Sequence, residues 1–171
     1  RPKANIVDAA MIAALQAALD AHLPRRELLA VLLDAEGPHF SFGASVQEHL
    51  PASCAAMLAS LHRLVLTIAA SPVPVLAAVR GQCLGGGLEV ALACHLIFVA
   101  SEATLGQPEM QLGVFAPAAS CLLPGLIGPQ RAFDLLVSGR SISGAQAAAW
   151  GLATDGGADP QAAALAYFEA Q

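Results

Sequence analysis

The chain has 171 residues, of which 56% are hydrophobic and 12% are charged, and its formal net charge is −5. A chain of this length can bury one domain core, and its eight lysines and arginines leave no broad basic surface for nucleic acid. Prolines and charged residues interrupt every apolar stretch before it reaches the ~18 residues of a membrane span, and no secretory signal is visible, so a cytoplasmic protein is expected.

The first part of the chain predicts two helices separated by a strand and a loop. Asp8 can cap a helix that runs to about Ala21, because apolar residues follow it at helical spacing. Residues 28–33 read as a fully buried strand, and residues 34–45 form a loop rich in Gly, Ser and aromatic residues. A second helix is predicted over residues 53–69. The long loop between strand and helix is therefore a candidate functional segment.

The middle of the chain alternates between strands and short connections. Residues 75–79 and 96–100 are predicted strands, and residues 88–94 a short buried helix. A turn over residues 81–87 joins the first of these strands to the helix. Such alternation indicates βαβ units with parallel pairing, and the predicted fold class is α/β.

The last part of the chain is predicted to be irregular over residues 115–124 and helical after that. Helices are expected to begin at Pro129, after Ser143, and at Asp159-Pro160. No compositional break indicates a second domain, so residues 1–171 are predicted to be a single core domain. We expect this domain to be incomplete at both ends, since it starts abruptly at Arg1 and stops in a helix-like stretch.

The run Gly85-Gly86-Gly87-Leu88-Glu89 is the most informative motif. The first N–H groups of a helix lack partners inside the helix, and glycine lets a ligand approach them closely. These donors suit an enolate or thioester oxygen, and Glu89 would lie within the same first turn. An acid at a helix start also complements the helix dipole, which is the plainer interpretation of Glu89 alone.

A second acid changes that interpretation. Glu109 lies in Gly106-Gln107-Pro108-Glu109, twenty residues after Glu89 and beyond a predicted strand and turn. This separation allows the chain to fold back, so that two carboxylates face one substrate. Proton transfer and water activation need such a pair.

Four motifs in order resemble the crotonase superfamily, the enoyl-CoA hydratases and isomerases. Arg1-Pro2-Lys3-Ala4-Asn5 resembles its early CoA-contacting segment, and Phe40-Ser41-Phe42-Gly43-Ala44-Ser45 its first oxyanion loop. Residues 81–89 and 106–109 resemble its second oxyanion loop and its second glutamate. The resemblance implies a spiral of ββα units followed by C-terminal helices, which are largely missing here, and assembly as a homotrimer or hexamer.

The resemblance also implies a role for each motif. The N–H groups of Ala44 and Gly86 would bind the thioester oxygen, and Glu89 and Glu109 would share water activation and proton transfer. Lys3 and Ala4 would contact an acyl-CoA substrate, for which Lys3 as an ordinary solvated charge is the alternative. No metal and no cofactor beyond the CoA of the substrate are implied, and the four cysteines lack the spacing of a zinc site.

Two departures from the family pattern affect the expected substrate. The first loop has Ser45 where the family commonly has Asp, and Pro117 has no N–H where the loop is often rich in glycine. These loops look most like those of the cyclohexa-1,5-diene-1-carbonyl-CoA hydratases. Phe42, Phe115 and Pro117 are then candidate walls of an apolar pocket, although both phenylalanines could instead pack in the core or loops.

The sequence therefore predicts a lyase that adds water to an enoyl-CoA or cyclic dienoyl-CoA. An isomerase of the same fold, or a catalytically silent CoA-binding or assembly subunit, are the alternatives. His39 and His49 flank the first loop and could reach a ligand, but surface or capping roles fit them equally well.

Overall fold

The computed structural model describes residues 4–170, which form seven α-helices and seven β-strands. The helices are α1 (Ala9–His22), α2 (Cys54–Ala69), α3 (Gly86–Leu92), α4 (Pro117–Ile127), α5 (Pro129–Ser138), α6 (Gly144–Ala149) and α7 (Pro160–Glu169). The strands are β1 (Val31–Leu33), β2 (Val75–Val79), β3 (Gln82–Leu84), β4 (Leu96–Val99), β5 (Thr104–Gly106), β6 (Ser141–Ser143) and β7 (Thr154–Asp155). Two short 3-10 helices cover Val46–His49 and Pro108–Leu112. Within this described part of the chain, no helix is both long and apolar enough to cross a membrane.

The strands form two sheets. The larger sheet has the order β1-β2-β4-β7 and is parallel throughout, with Val31 opposite Val75 and Leu76 opposite Leu96. The smaller sheet has the order β3-β5-β6, in which β3 and β5 are parallel and β5 and β6 antiparallel. Parallel neighbours need long crossovers, and the connections carry α2 and α3. This confirms the predicted α/β class.

The main core lies between the larger sheet and helices α1 to α6. All five residues of β2 are buried, and α2 buries one stripe at helical spacing that includes Met57, Leu61, Leu64 and Ile68. Helix α7 covers the opposite face of the sheet, where Ala164 packs against Leu76 and Phe98. Burial on both faces explains why β2 is continuously apolar.

Side-chain caps fix three of the predicted helix starts. The carboxylate of Asp8 accepts the N–H of Met11 at 2.7 Å, and the hydroxyl of Ser143 accepts that of Gln146 at 3.1 Å. Asp159 caps α7 in the same way. Each cap satisfies a backbone donor that has no partner within its helix, which confirms the sequence prediction.

Two predictions around the strands were wrong. The strand predicted over residues 28–33 is only β1, because pairing ends where Ala30 would face Pro74, which has no N–H for the ladder. Strand β1 is half-buried rather than fully buried, since it forms the edge of its sheet. The turn predicted over residues 81–87 contains β3, whose partner β5 was also missed.

The region predicted to be irregular, residues 115–124, mostly belongs to α4. Pro117 occupies the first helical turn, where its missing N–H costs nothing. Pro124 lies inside the helix, where a proline is normally costly. Burial of Ala119, Leu123 and Ile127, which are spaced by four residues on one face, outweighs that cost.

Candidate active site

The first loop is held in place by β3. The Ser41 N–H donates to the Gln82 carbonyl at 2.9 Å, and the Leu84 N–H donates to the Ser41 carbonyl at 3.0 Å. The Phe42 N–H donates to the Ala4 carbonyl at 3.0 Å. These hydrogen bonds hold the first loop beside β3, close to the start of α3.

Ala44 and Gly86 approach each other closely at that point. A Cβ atom added to Gly86 would lie 3.0 Å from the Cβ of Ala44 and 3.3 Å from its backbone nitrogen. Gly86 is the first residue of α3, so its N–H has no partner inside the helix. The structure thus brings together the two residues whose N–H groups were predicted to bind a thioester oxygen.

Glu89 lies in the first turn of α3 and is almost completely buried, with 3% of its surface exposed. Its Oε1 accepts the N–H of Ala119, at the start of α4, at 2.9 Å. Burial raises the pKa of Glu89 above its usual value, while the N–H groups of Ala119 and Ala118 act in the opposite direction. A protein donor therefore orients a carboxylate that would otherwise favour its neutral form.

Glu109 lies in the 3-10 helix Pro108–Leu112 and faces Gly85, which directly precedes α3. A Cβ on Gly85 would lie 2.5 Å from Oε1 of Glu109, and the φ angle of Gly85 is +51°. Burial, together with the charge of Glu89, raises the pKa of Glu109 to about 7, while its own backbone N–H acts in the opposite direction. Two carboxylates that interact in this way titrate as a pair rather than independently.

Gln107 is a site residue to which the sequence reasoning assigned no role. It is 1% exposed, and its amide faces the carboxylate of Glu109. With the amide nitrogen turned toward Glu109, the distances to Oε2 and Oε1 are 2.8 and 3.1 Å. The sequence feature that could have indicated this role is an amide side chain two residues before a glutamate, because a buried amide requires a hydrogen-bond partner.

Both glutamates open onto one cavity of about 360 Å³, a size typical of ligand pockets. Most of its walls are apolar. The lining residues are Ala44, His49, Cys54, Leu58, Leu61, Gly86, Glu89, Glu109, Gly113, Val114, Phe115, Ala116 and Pro117. Both predicted glutamates, both predicted N–H donors and two of the three predicted wall residues thus meet at one place.

Two other predicted residues, Ala4 and Phe42, do not line this cavity. Phe42 is not among the described residues that line the cavity; its ring packs edge-on against His39 with centroids 4.9 Å apart. Ala4 lies beside Phe42 through the backbone hydrogen bond given above. Lys3 lies outside the described residues. The substrate contacts predicted for these three residues stay predictions.

Two histidines complete the surroundings of the glutamates. His49, at the end of the 3-10 helix Val46–His49, lines the cavity, and its Nδ1 donates to the Ser45 carbonyl at 2.8 Å. His62 lies in α2, and its buried Nε2 has no hydrogen-bond partner among residues 4–170. Positive charge on either ring would lower the pKa of Glu89. The position of His62 in the sequence of α2 did not indicate that its ring would influence Glu89.

The described residues offer no obvious metal site. Across positions 4–170, no group of three or more His, Cys, Asp or Glu side chains is placed to hold a metal ion. Cys83 and Cys94 are buried thiols, and burial raises the pKa of Cys94 to about 12. These two thiols therefore favour the protonated form, which does not bind metals.

Comparison with known proteins gives one consistent family. The family model described as enoyl-CoA hydratase/isomerase matches residues 1–164. The chain is 64% identical, over 169 residues, to a cyclohexa-1,5-dienecarbonyl-CoA hydratase of Thauera aromatica, covering 99% of this chain and 66% of that protein. It is 34% identical to a probable enoyl-CoA hydratase of Bacillus subtilis (strain 168), covering 92% of this chain and 63% of that protein.

Solved structures agree with this result. The crystal structure of an enoyl-CoA hydratase from Bacillus anthracis superposes with a TM-score of 0.90 at 29% identity, covering 98% of this chain and 67% of that one. The fold is therefore the crotonase-like fold that the motifs predicted. The chain spans about two thirds of the length of the curated relatives that it matches.

Proposed function

Because the chain belongs to the enoyl-CoA hydratase/isomerase family, we propose that it forms the acyl site of a hydro-lyase acting on unsaturated acyl-CoA thioesters. The observation that carries this proposal is the single cavity that Ala44, Gly86, Glu89 and Glu109 line together. We further propose that the preferred acyl group is a cyclic diene and that the reaction uses no metal and no cofactor besides the CoA of the substrate.

The N–H groups of Ala44 and Gly86 would polarise the thioester carbonyl. Hydrogen bonds to that oxygen strengthen as it gains negative charge, so they stabilise the transition state more than the bound substrate. Removing one such donor typically costs about 2.7–4 kcal/mol of transition-state stabilisation. Polarisation makes the far carbon of the conjugated alkene electrophilic.

The glutamate pair would then supply and remove protons. The oxygen of water bonds to the electrophilic carbon, and the alkene electrons move into an enolate on the thioester oxygen. The ionised carboxylate takes a proton from the water, and the protonated carboxyl group gives its proton to carbon. The pair ends with the same number of protons with which it began, because it takes one proton from water and gives one to carbon.

The cyclic acyl group is supported by the cavity and by the strongest similarity described above. The cavity walls are formed by the bulky apolar side chains of Leu58, Leu61 and Phe115, together with Pro117. A six-membered ring would bury more apolar surface there than a short straight chain. The Thauera relative, 64% identical, is named for a cyclic dienoyl thioester.

We also propose that the protein assembles as a homotrimer or hexamer. Leu126 of α4 and Phe133 and Val137 of α5 are 44%, 68% and 49% exposed. Contacts between copies would remove such apolar side chains from water. Light scattering on the full-length protein should give three or six times the mass of one chain, and the mass of a monomer would contradict this proposal.

The main experiment compares the unaltered protein with Glu89→Gln on cyclic dienoyl-CoA and crotonyl-CoA. Loss of a group that transfers protons should lower the hydration rate by about 10²–10⁴-fold. Glu102→Gln serves as the matched control, because Glu102 is an exposed acid in a turn outside the cavity. Products are analysed for added water by mass spectrometry.

The possible outcomes are distinct. Hydrated product from the cyclic thioester, lost in Glu89→Gln and retained in Glu102→Gln, supports the proposal. A product of unchanged mass with a shifted double bond indicates an isomerase. Equal turnover by the unaltered protein and Glu89→Gln would refute the role of Glu89, and better turnover of crotonyl-CoA would refute the preference for a cyclic acyl group.

A further inference from the structure

His49 is the one basic side chain among the described residues that line the cavity. It follows Ala44 by five positions and is half-buried at the cavity wall. A positive charge on its ring would lower the pKa values of both Glu89 and Glu109, so the ring lies within electrostatic reach of both carboxylates. His49 and the two glutamates therefore line the same cavity, and a ligand in that cavity lies beside all three side chains.

The hydrogen bond to Ser45 fixes which nitrogen of His49 carries the proton. The Ser45 carbonyl can only accept, so Nδ1 must be protonated. In the neutral ring, Nε2 is then an acceptor. Within residues 4–170 no hydrogen bond occupies Nε2, which leaves it available to a ligand in the cavity.

His39 shows the contrasting arrangement. Its Nδ1 accepts the N–H of Gln82 at 3.1 Å, and its ring packs against Phe42. Both features hold the first loop against β3, and His39 does not line the cavity. The two histidines that flank the first loop therefore differ, and only His49 lines the same cavity as the two glutamates.

We infer that His49 binds the oxygen atom that hydration adds to the substrate. Its Nε2 accepts one O–H of the attacking water while a glutamate removes the other proton, and it then accepts the O–H of the hydroxyl product. No proton leaves the imidazole, so the proton balance remains that of the glutamate pair. This inference rests on the proposed hydratase function and extends it to the oxygen of water.

Chemistry at this site favours such a contact. Pro117 lines the cavity without an N–H, and the other polar side chains there are Cys54 and the two acids. A water molecule held only by one carboxylate can rotate about that hydrogen bond. A second acceptor fixes its orientation and directs a lone pair toward the substrate carbon.

Two substitutions separate this contact from a structural role. In His49→Asn the amide nitrogen replaces Nδ1 and retains the hydrogen bond to Ser45, but no atom remains at the position of Nε2. In His49→Gln the longer side chain places an amide oxygen near the position of Nε2 and loses the bond to Ser45. His22→Asn is the matched control, because His22 is exposed at the end of α1.

The measurement compares binding of two CoA thioesters to the full-length protein: the hydroxyl product isolated from the hydration assay and its saturated counterpart without the hydroxyl. His49→Asn should weaken binding of the hydroxyl thioester about three- to tenfold, as expected for one lost hydrogen bond, and leave the saturated thioester unchanged. His49→Gln should restore most of the difference. The kcat/KM for hydration should fall in the same order.

Other results would overturn the inference. Equal weakening of both thioesters, or a larger loss in His49→Gln than in His49→Asn, would show that His49 only supports the loop through Ser45. Unchanged binding in both variants would show that Nε2 contacts no ligand. If the unaltered protein adds water to no thioester, the proposed function fails as well, whereas normal hydration with unchanged variants overturns the role of His49 alone.

Discussion

Replacing Gly85 by alanine should damage both the stability and the activity of the protein. Gly85 has φ +51° and ψ −130°, a conformation that side chains with a Cβ rarely adopt and that costs about 1–3 kcal/mol. The new Cβ would also lie 2.5 Å from Oε1 of Glu109. To restore an ordinary contact of about 3.5 Å, the carboxylate must move by roughly 1 Å, and a displacement of that size can lower a rate about 10²-fold.

The unfolding free energy from urea titration and kcat/KM for hydration test this prediction together. Gly125→Ala is the matched control, because Gly125 is exposed inside α4 and a Cβ there meets nothing within 4 Å. Alanine in a helix interior should stabilise the control by about 0.5–1 kcal/mol and leave its activity unchanged. If Gly85→Ala matched the unaltered protein in both measurements, the reasoning from backbone conformation and contact distance would be wrong.

Two further predictions concern stability. Burial raises the pKa of Glu109 from 4.5 to about 7, so between these pH values the folded protein holds a proton that the unfolded chain releases. The unfolding free energy should therefore fall as pH rises from 4.5 through 7. Glu109→Gln should reduce this fall in urea titrations at several pH values. An equal fall in the variant would contradict that assignment. Leu123→Ala should cost about 2–5 kcal/mol of unfolding free energy because Leu123 is fully buried, whereas Leu66→Ala, at a position 67% exposed on α2, should cost much less. Equal losses in these two variants would show that α4 does not pack as described.

Much of the fold could be predicted because its long elements carry their own signals. Strand β2 is continuously apolar, and the stripe along α2 repeats at helical spacing. Strands β3 and β5 have three residues each, too few for a periodic pattern, and they exist because they pair with each other. Helix α4 was not predicted because it contains two prolines, which argue against a helix in the sequence alone. Its apolar residues stabilise the helix only by packing against the core, which the sequence does not show.

The site was predictable to the extent that its residues lie in compact motifs. Glycines 85 to 87 with Glu89, and Glu109 in the short run that starts at Gly106, lie in compact segments whose chemistry is visible in the sequence. The sequence offered His39 and His49 equally as residues that could reach a ligand, and only the folded path of the loop after Ala44 shows that His49 lines the cavity. Irregular segments of this kind have no periodic pattern, so the sequence does not show which of their side chains reach the site.

The spacing of twenty residues between the two glutamates has a topological cause. Strands β3 and β5 are parallel neighbours with Leu84 opposite Gly106, and the Gly85 N–H donates to the Gly106 carbonyl at 2.9 Å. Parallel strands end at the same edge of a sheet, and each glutamate lies in the first turn of the helix that follows its strand. After β3 the chain passes through α3 and β4 and returns to the smaller sheet as β5, which ends at the same edge of that sheet as β3. A shift of this register by a single residue would separate the carboxylates by several ångströms, because each residue of a strand advances the chain by about 3.3 Å. The pairing of two three-residue strands is thus as necessary for the candidate site as the carboxylates themselves.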